Sequence, residues 1–332
     1  MEGMDLLRLA RARLAAGEAV AECVVLGSVG SVARPAGARM LVLADGACEG
    51  TVGGGAPELR CAELAREVLG DGRPRRVTLD HGTTGMVCGG SQLVGIRRLE
   101  GKDLAALDAA LACVEAGGQG WLETSWGDEA ATSSFAPASD GEDLTLAHPS
   151  YDNGVFSEPL AAPERALVFG GGHVGRALVP VLAGIGFDVI LLDDRPAVAT
   201  PENFPAARQV LLCDYADVAA SVAIGPRDCV CVMTHGHVFD TQVVAQVLAV
   251  CPRYLGCMGS RHKRAALLAR LAELGFPSDE ARGVELPIGL DIGAVTPAEI
   301  ALSIAARLVE VRAAARAELA AGSEHAPCPA GS

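Results

Sequence analysis

The 332-residue chain contains no CxxC pair. Its eleven cysteines are odd in number and scattered, which excludes a zinc ribbon or a thioredoxin-like redox motif. Most of them, Cys213, Cys229 and Cys231 among them, sit in apolar runs and read as small buried hydrophobes of a reducing compartment. Aromatic residues make up 4% of the chain, so any core must be assembled from Val, Leu, Ile and Ala. Positive charge is short as well: 27 Lys and Arg stand against 41 Asp and Glu, a net charge of −14. A protein that grips a nucleic-acid backbone shows a basic face, and this balance argues against nucleic acid as a partner. No apolar run reaches the charge-free length of about 18 residues at which a membrane span is read, so no membrane partner is expected. Residues 1–16 are amphipathic and of mixed charge, unlike a signal peptide. The expected location is cytoplasmic.

Half of the residues are hydrophobic, enough for two packed domains at this length. The expected division is an N-terminal domain over 1–125, a linker over 126–163, a C-terminal domain over 164–321 and a disordered tail over 322–332. In the first region, apolar residues at helical spacing predict a helix over 5–16. Strand-like runs follow at 19–26 and 40–44, and helices are predicted over 57–69 and 104–116. Runs at 75–79 and 92–98 read as strands flanking a glycine-containing loop, His81 to Gly90. This is a small α+β unit. The stretch 126–163 is rich in Ser, Ala, Asp, Pro and Gly, which suggests a connection with little structure of its own.

From Arg165 onward strands and helices alternate, which predicts βαβ units and a Rossmann-like, doubly wound parallel sheet. The first βα turn is Gly170-Gly171-Gly172-His173-Val174-Gly175. In a GxGxxG turn Gly170 permits the tight bend, Gly172 lets a phosphate approach the backbone, and Gly175 lets helix and strand pack closely. His173 could contact that phosphate or cap the helix. The next strand ends in Asp193-Asp194, where a carboxylate, taken as Asp193, would accept from ribose hydroxyls. A nucleotide in this domain is therefore one expectation, and an NAD(P)-dependent oxidoreductase is the alternative function. A glycine turn that is only structural is the third reading. Thr234-His235-Gly236-His237 follows a later strand, where open α/β sheets place their ligands. It suits ligand or loop hydrogen bonding, and the HxH spacing with Asp240 could also serve a metal. Ser260, Arg261 and Lys263 form a basic helix start. Cations there oppose the helix dipole, which suggests an anion site or a solvated basic turn. Asp291 stands in the apolar, glycine-punctuated loop 287–293. These positions are expected to face one crevice, because all lie near carboxyl ends of parallel strands.

These segments resemble the XdhC/CoxI family. The likeness rests on GSVGSVARPAGARMLVLADG, TVGGGAPEL and GMVCGG in the first half, then FGGGHVGRAL, DDRP, MTHGHVFD, YLGCMGSRHKR and PIGLDIGAVTPAEIALSI. It spans most of residues 18–312. Members serve as maturation chaperones rather than catalysts. The resemblance implies binding of molybdenum cofactor, as molybdopterin or its cytosine dinucleotide form. It also implies support of sulfuration with a cysteine desulfurase and insertion into an apo molybdenum hydroxylase of the xanthine dehydrogenase type. A homodimer is the expected assembly. Under this reading Gly53, Gly54, Gly55, Gly89 and Gly90 would bring backbone N–H groups to the ligand, and Arg34 and Arg39 would pair with its phosphate. Cys88, in a glycine-flanked loop, is the first candidate for a functional thiol touching molybdenum, and Cys61 the second. The family often carries a small non-glycine residue where Gly171 stands here, which should loosen the turn.

Overall fold

The computed structural model describes residues 3–80, 89–139, 142–276, 281 and 283–323. The chain divides into two compact units between Ala162 and Pro163.

In the first unit, β1 (Val20–Val29), β2 (Arg39–Leu43), β3 (Cys48–Gly50), β4 (Arg75–Leu79) and β5 (Ser91–Leu99) form an antiparallel sheet of order β3-β2-β1-β5-β4. Successive side chains of a strand point to opposite faces, and in β1 both faces are covered. Ala21, Cys23 and Val25 join Met40, Val42, Val94 and Ile96 under α2 (Gly55–Asp71). On the other face Val20 packs with Leu41 and Leu99 against α1 (Gly3–Ala15) and α3 (Gly101–Glu115).

The 126–163 connection is not a linker. β6 (Gln119–Trp126), β7 (Ala131–Pro137), β8 (Ser150–Asp152) and β9 (Val155–Ala161) make a second antiparallel sheet of order β7-β6-β9-β8. Its inner side chains pack on the first sheet: Trp126 and Phe156 meet Val24 and Leu26. A Cβ on Gly95 would lie 2.5 Å from the Trp126 ring, so only glycine fits beneath it.

Five charged side chains are buried where these layers meet. Arg39 donates to Glu22 at 2.6 Å and bidentately to Glu158 at 3.1 and 2.6 Å. Arg97 donates to the other Glu22 oxygen at 2.7 Å and to Asp103 at 3.0 Å. Burying Glu22 alone would raise its pKa. Arg97 and Arg39 outweigh that and hold the carboxyl at about 2.

The second unit is a parallel sheet of β10 (Arg165–Phe169), β11 (Asp188–Asp193), β12 (Gln209–Leu212), β13 (Cys229–Val232) and β14 (Tyr254–Cys257), in the order β12-β11-β10-β13-β14. The helices α4 (His173–Gly184) and α7 (Pro297–Ser323) cover one face, through Leu178, Leu182, Ile304 and Leu308. The helices α5 (His237–Leu248) and α6 (Arg261–Glu273) cover the other, through Val243, Val247, Leu267 and Leu271. This is the doubly wound arrangement expected from the alternating pattern. Strand order reverses between β10 and β13, so the crevice beyond their carboxyl ends is the switch point at which such sheets bind ligands. No helix among the described residues is long and apolar enough to cross a membrane.

Candidate functional site

In the first unit three glycine-bearing segments converge at one end of the antiparallel sheet. Gly90 packs against the segment after β1: a Cβ there would lie 2.4 Å from the Ser31 carbonyl and 2.7 Å from that of Val29. Gly53 faces both Ala33 and the amide of Gln92, at 3.7 and 3.5 Å from its would-be Cβ. Gly53, Gly54 and Gly55 all have positive φ, 148°, 74° and 62°, a conformation that side-chain-bearing residues avoid. The turn is stitched by its own chain. Gly53 N–H donates to Thr51 Oγ1 at 3.1 Å, and Gly54 N–H donates to Glu58 Oε2 at 3.1 Å. Space over Gly54, Gly55 and Gly89 is open among the described residues, since a Cβ there meets none of them within 4 Å. Arg34 is exposed on the first of the three segments.

Gln92 is the hub. It is fully buried, and its Nε2 donates to Arg34 O at 2.7 Å and to Val52 O at 3.2 Å. Two carbonyls on one side fix the amide orientation, so Oε1 must face the other way. That oxygen has no hydrogen-bond partner among the described residues.

Two expected ligand residues are placed elsewhere. Arg39 is buried against Glu22 and Glu158, because its position on β2 directs it into the inter-sheet core; it does not serve as a surface phosphate partner. Cys61 is fully buried on the sheet-facing side of α2, and its carbonyl faces the Cys23 thiol at 3.8 Å. It cannot be reached from the glycine loops. Cys88 lies outside the described residues.

In the second unit the glycine turn is tightly built. A Cβ on Gly170 would lie 2.2 Å from Met233 O, and one on Gly175 would lie 2.1 Å from Gly170 O. Gly172 faces open space at the start of α4, with His173 as the first helical residue. Gly171 does not loosen the turn: Val198 and Phe204 fill the room a side chain would need, at 2.6 and 2.8 Å. Asp193 is not a ribose acceptor. It is fully buried, and its carboxylate accepts from Gly171 N–H at 2.7 Å and from the Arg195 backbone and guanidinium at 2.7–2.9 Å. Burial opposes its charge, and Arg195 and Gly171 N–H overcome this, so its pKa is lowered. The neighbouring Asp194 is the acid that faces His235, at 3.0 Å from Nε2. The His235 ring also packs against Phe239, with centroids 4.9 Å apart. Because β11 and β13 flank β10, this pair bridges the glycine turn.

Thr234 is engaged in starting α5: its N–H and hydroxyl donate to Asp240 at 3.0 and 2.6 Å. Among the described residues no cluster of three or more potential ligands could hold a metal ion. Ser260 is the N-cap residue of α6. Arg261 pairs with Asp291 at 2.6 Å, both largely exposed, and a solvated pair of this kind contributes little stability. A cavity of about 430 Å³ lies beside them, lined by Met258, Ile288, Ile300 and Ser303 as well. Lys263 is exposed on the first turn of α6.

Two family models match the chain. The XdhC Rossmann domain matches residues 166–308, and the XdhC and CoxI family matches residues 13–80. The chain belongs to the XdhC/CoxI family. Among similar proteins is the molybdenum cofactor insertion chaperone PaoD of Escherichia coli, 25% identical over 92% of this chain and 88% of that protein. A probable xanthine dehydrogenase subunit of Bacillus subtilis is 29% identical over 51% of this chain and 49% of that protein. The uncharacterized protein YqeB of Escherichia coli is 26% identical over 87% of this chain but 42% of its own length. The chain thus spans about half the length of the latter two. The crystal structure of a protein described as a xanthine dehydrogenase from Bacillus halodurans superposes with a TM-score of 0.79, at 25% identity, over 95% of this chain and 96% of that one.

Glycines thus border open space in both units, at Gly54, Gly55 and Gly89 in the first and at Gly172 in the second, among the described residues. Sequence patterns alone do not single out Gln92, Glu58 or Asp194. Glu58 stands in the first turn of a helix, where an acid needs no special explanation. Gln92 directly precedes the apolar run Leu93 to Ile96, and an amide at the head of a buried strand is the available signal.

Proposed function

We propose that this protein serves the maturation of a xanthine dehydrogenase-type molybdenum hydroxylase. It holds molybdenum cofactor as cargo in the three-loop cleft of the first unit, supports its sulfuration with a cysteine desulfurase, and hands it to the apoenzyme. The observation that carries this reading is the cleft itself: among the described residues, open space over Gly54, Gly55 and Gly89 beside a buried amide oxygen that lacks a donor. A polar pterin ring matches such a cradle, because it can lie close to bare backbone and offer N–H groups. Exposed Arg34 would pair with the phosphate, and Cys88 would supply a soft thiolate ligand to molybdenum. The name of the PaoD relative supports the same cargo.

The crevice of the second unit is proposed to take a phosphate-bearing group over Gly172, including the nucleotide end of a cytosine dinucleotide cofactor. The carboxylate of Asp193 is held by Gly171 and Arg195, so a ribose bound there would meet Asp194 instead. We also propose a homodimer. Leu302 and Val309 are exposed seven residues apart on one face of α7, an apolar patch suited to self-association.

Molybdenum and pterin fluorescence, measured per folded monomer after purification from a strain that makes the cofactor, test the cargo reading. Wild type should carry both. Protein free of pterin under those conditions, and unable to take it up, would exclude it.

A further inference from the structure

Resting on the proposed cargo, we infer that Gln92 is a specificity-determining residue whose Oε1 accepts a hydrogen bond from the exocyclic amine of a 2-amino-4-oxopteridine ring. The amide cannot satisfy itself. Its Nε2 is committed to Arg34 O and Val52 O at 2.7 and 3.2 Å, and turning it over would set the oxygen against those two carbonyls. Oε1 is therefore an acceptor of fixed direction, fully buried and unpartnered among the described residues. Leaving such an atom unsatisfied is costly, and a site that ends on one selects a ligand bearing the matching donor.

The position of the atom sets the shape of that donor. Oε1 lies 3.5 Å from the point where Gly53 would carry a Cβ, and Gly53 opens the run of three glycines beneath the cleft. The oxygen is recessed behind this turn, so a ring N–H flush with the ring edge falls short of it. An amine that projects from the ring reaches further. Approach has to displace the Gly53–Gly55 turn, which Thr51 and Glu58 hold through Gly53 N–H and Gly54 N–H, toward the open side of Gly54 and Gly55. The same contact fixes ring orientation: Nε2 ties the two flanking segments together while Oε1 takes the ring, so binding and loop position are coupled through one side chain.

The test uses the full-length protein, freed of any bound cargo, and two small probes: 6-hydroxymethylpterin and its 2-desamino counterpart, which removes the amine without adding bulk. Binding is followed by probe fluorescence. Wild type should prefer the pterin at least tenfold, equivalent to about 1.4 kcal/mol. Gln92→Leu should bind the two probes alike while its thermal melting shows a folded protein. Equal affinity of wild type for both probes overturns the role of Gln92 and leaves the cargo reading standing. A preference that survives in Gln92→Leu overturns it equally. If neither probe binds wild type, this inference fails, and the cargo reading fails with it only where the protein purified from a cofactor-making strain is also free of pterin. The wild-type comparison needs no variant, so it decides even if Gln92→Leu does not fold.

Discussion

Glu22 sits between two guanidiniums with almost no water. Its pKa is held near 2, below an ordinary value of 4.5, so its ionised form favours the folded state. That contribution is complete above about pH 4.5 and is lost as pH falls toward 2. Acid unfolding of the wild type should steepen in this window. Glu22→Gln should remove that part of the pH dependence and lower stability by about 3–5 kcal/mol at neutral pH, because two buried arginines lose a partner. Denaturant melts at pH 3, 5 and 7 measure both effects; an unchanged pH slope in the variant would refute the assignment. The cysteines separate in a different way. Cys88→Ser should lower molybdenum per folded monomer by about tenfold, some 1.4 kcal/mol if affinity is the cause. Cys61→Ser buries a hydroxyl on the inner face of α2 and should lower the melting temperature with cofactor content per folded molecule unchanged. Wild-type molybdenum in the Cys88 variant would remove that thiol from the mechanism.

At the level of elements, the glycine turn after β10 is held by packing on both sides. Gly175→Ala places a methyl 2.1 Å from a backbone oxygen that has no rotamer to escape by. A loss of about 1–3 kcal/mol, typical of overpacking, is expected in thermal unfolding, and a variant as stable as wild type would show the turn to be loose. The strand-turn-helix series of this half was legible in the sequence because each strand is a short apolar run followed by glycine or a polar turn. β6 and β9 were not legible. Their burial alternates with period two, but Thr124 and Glu158 occupy inward positions, and the outward ones mix polar residues with the apolar Trp121, Val155, Pro159 and Ala161. A polar residue on a buried face erases the periodic signal, and here the reason is the ion cluster that Glu158 joins. Asp193 misled for a related reason. Sequence places two acids at a strand end but cannot say which points back into the turn; alternation gives that side to Asp193 and leaves Asp194 to the crevice. The glycine cleft of the first unit could be read as glycines, whereas its acceptor Gln92 needed coordinates.

For the whole molecule, the second unit builds its buried clusters from its own residues, which suggests that it folds by itself. A fragment over 163–332 should show a cooperative thermal transition; a fragment that melts without a transition would contradict this. Within the first unit the opposite holds. Glu22, Arg39, Arg97, Asp103 and Glu158 come from β1, β2, β5, α3 and β9, and opening either sheet would strand charges in an apolar layer. The two sheets should therefore not breathe separately. Native-state amide exchange makes this visible: the slowest amides of β1 and β9 should share one opening free energy and one denaturant slope, as a single foldon. In Glu158→Gln the β9 amides should exchange sooner than those of β1, so a side chain of the outer sheet would reveal itself as the clasp of a common unfolding unit.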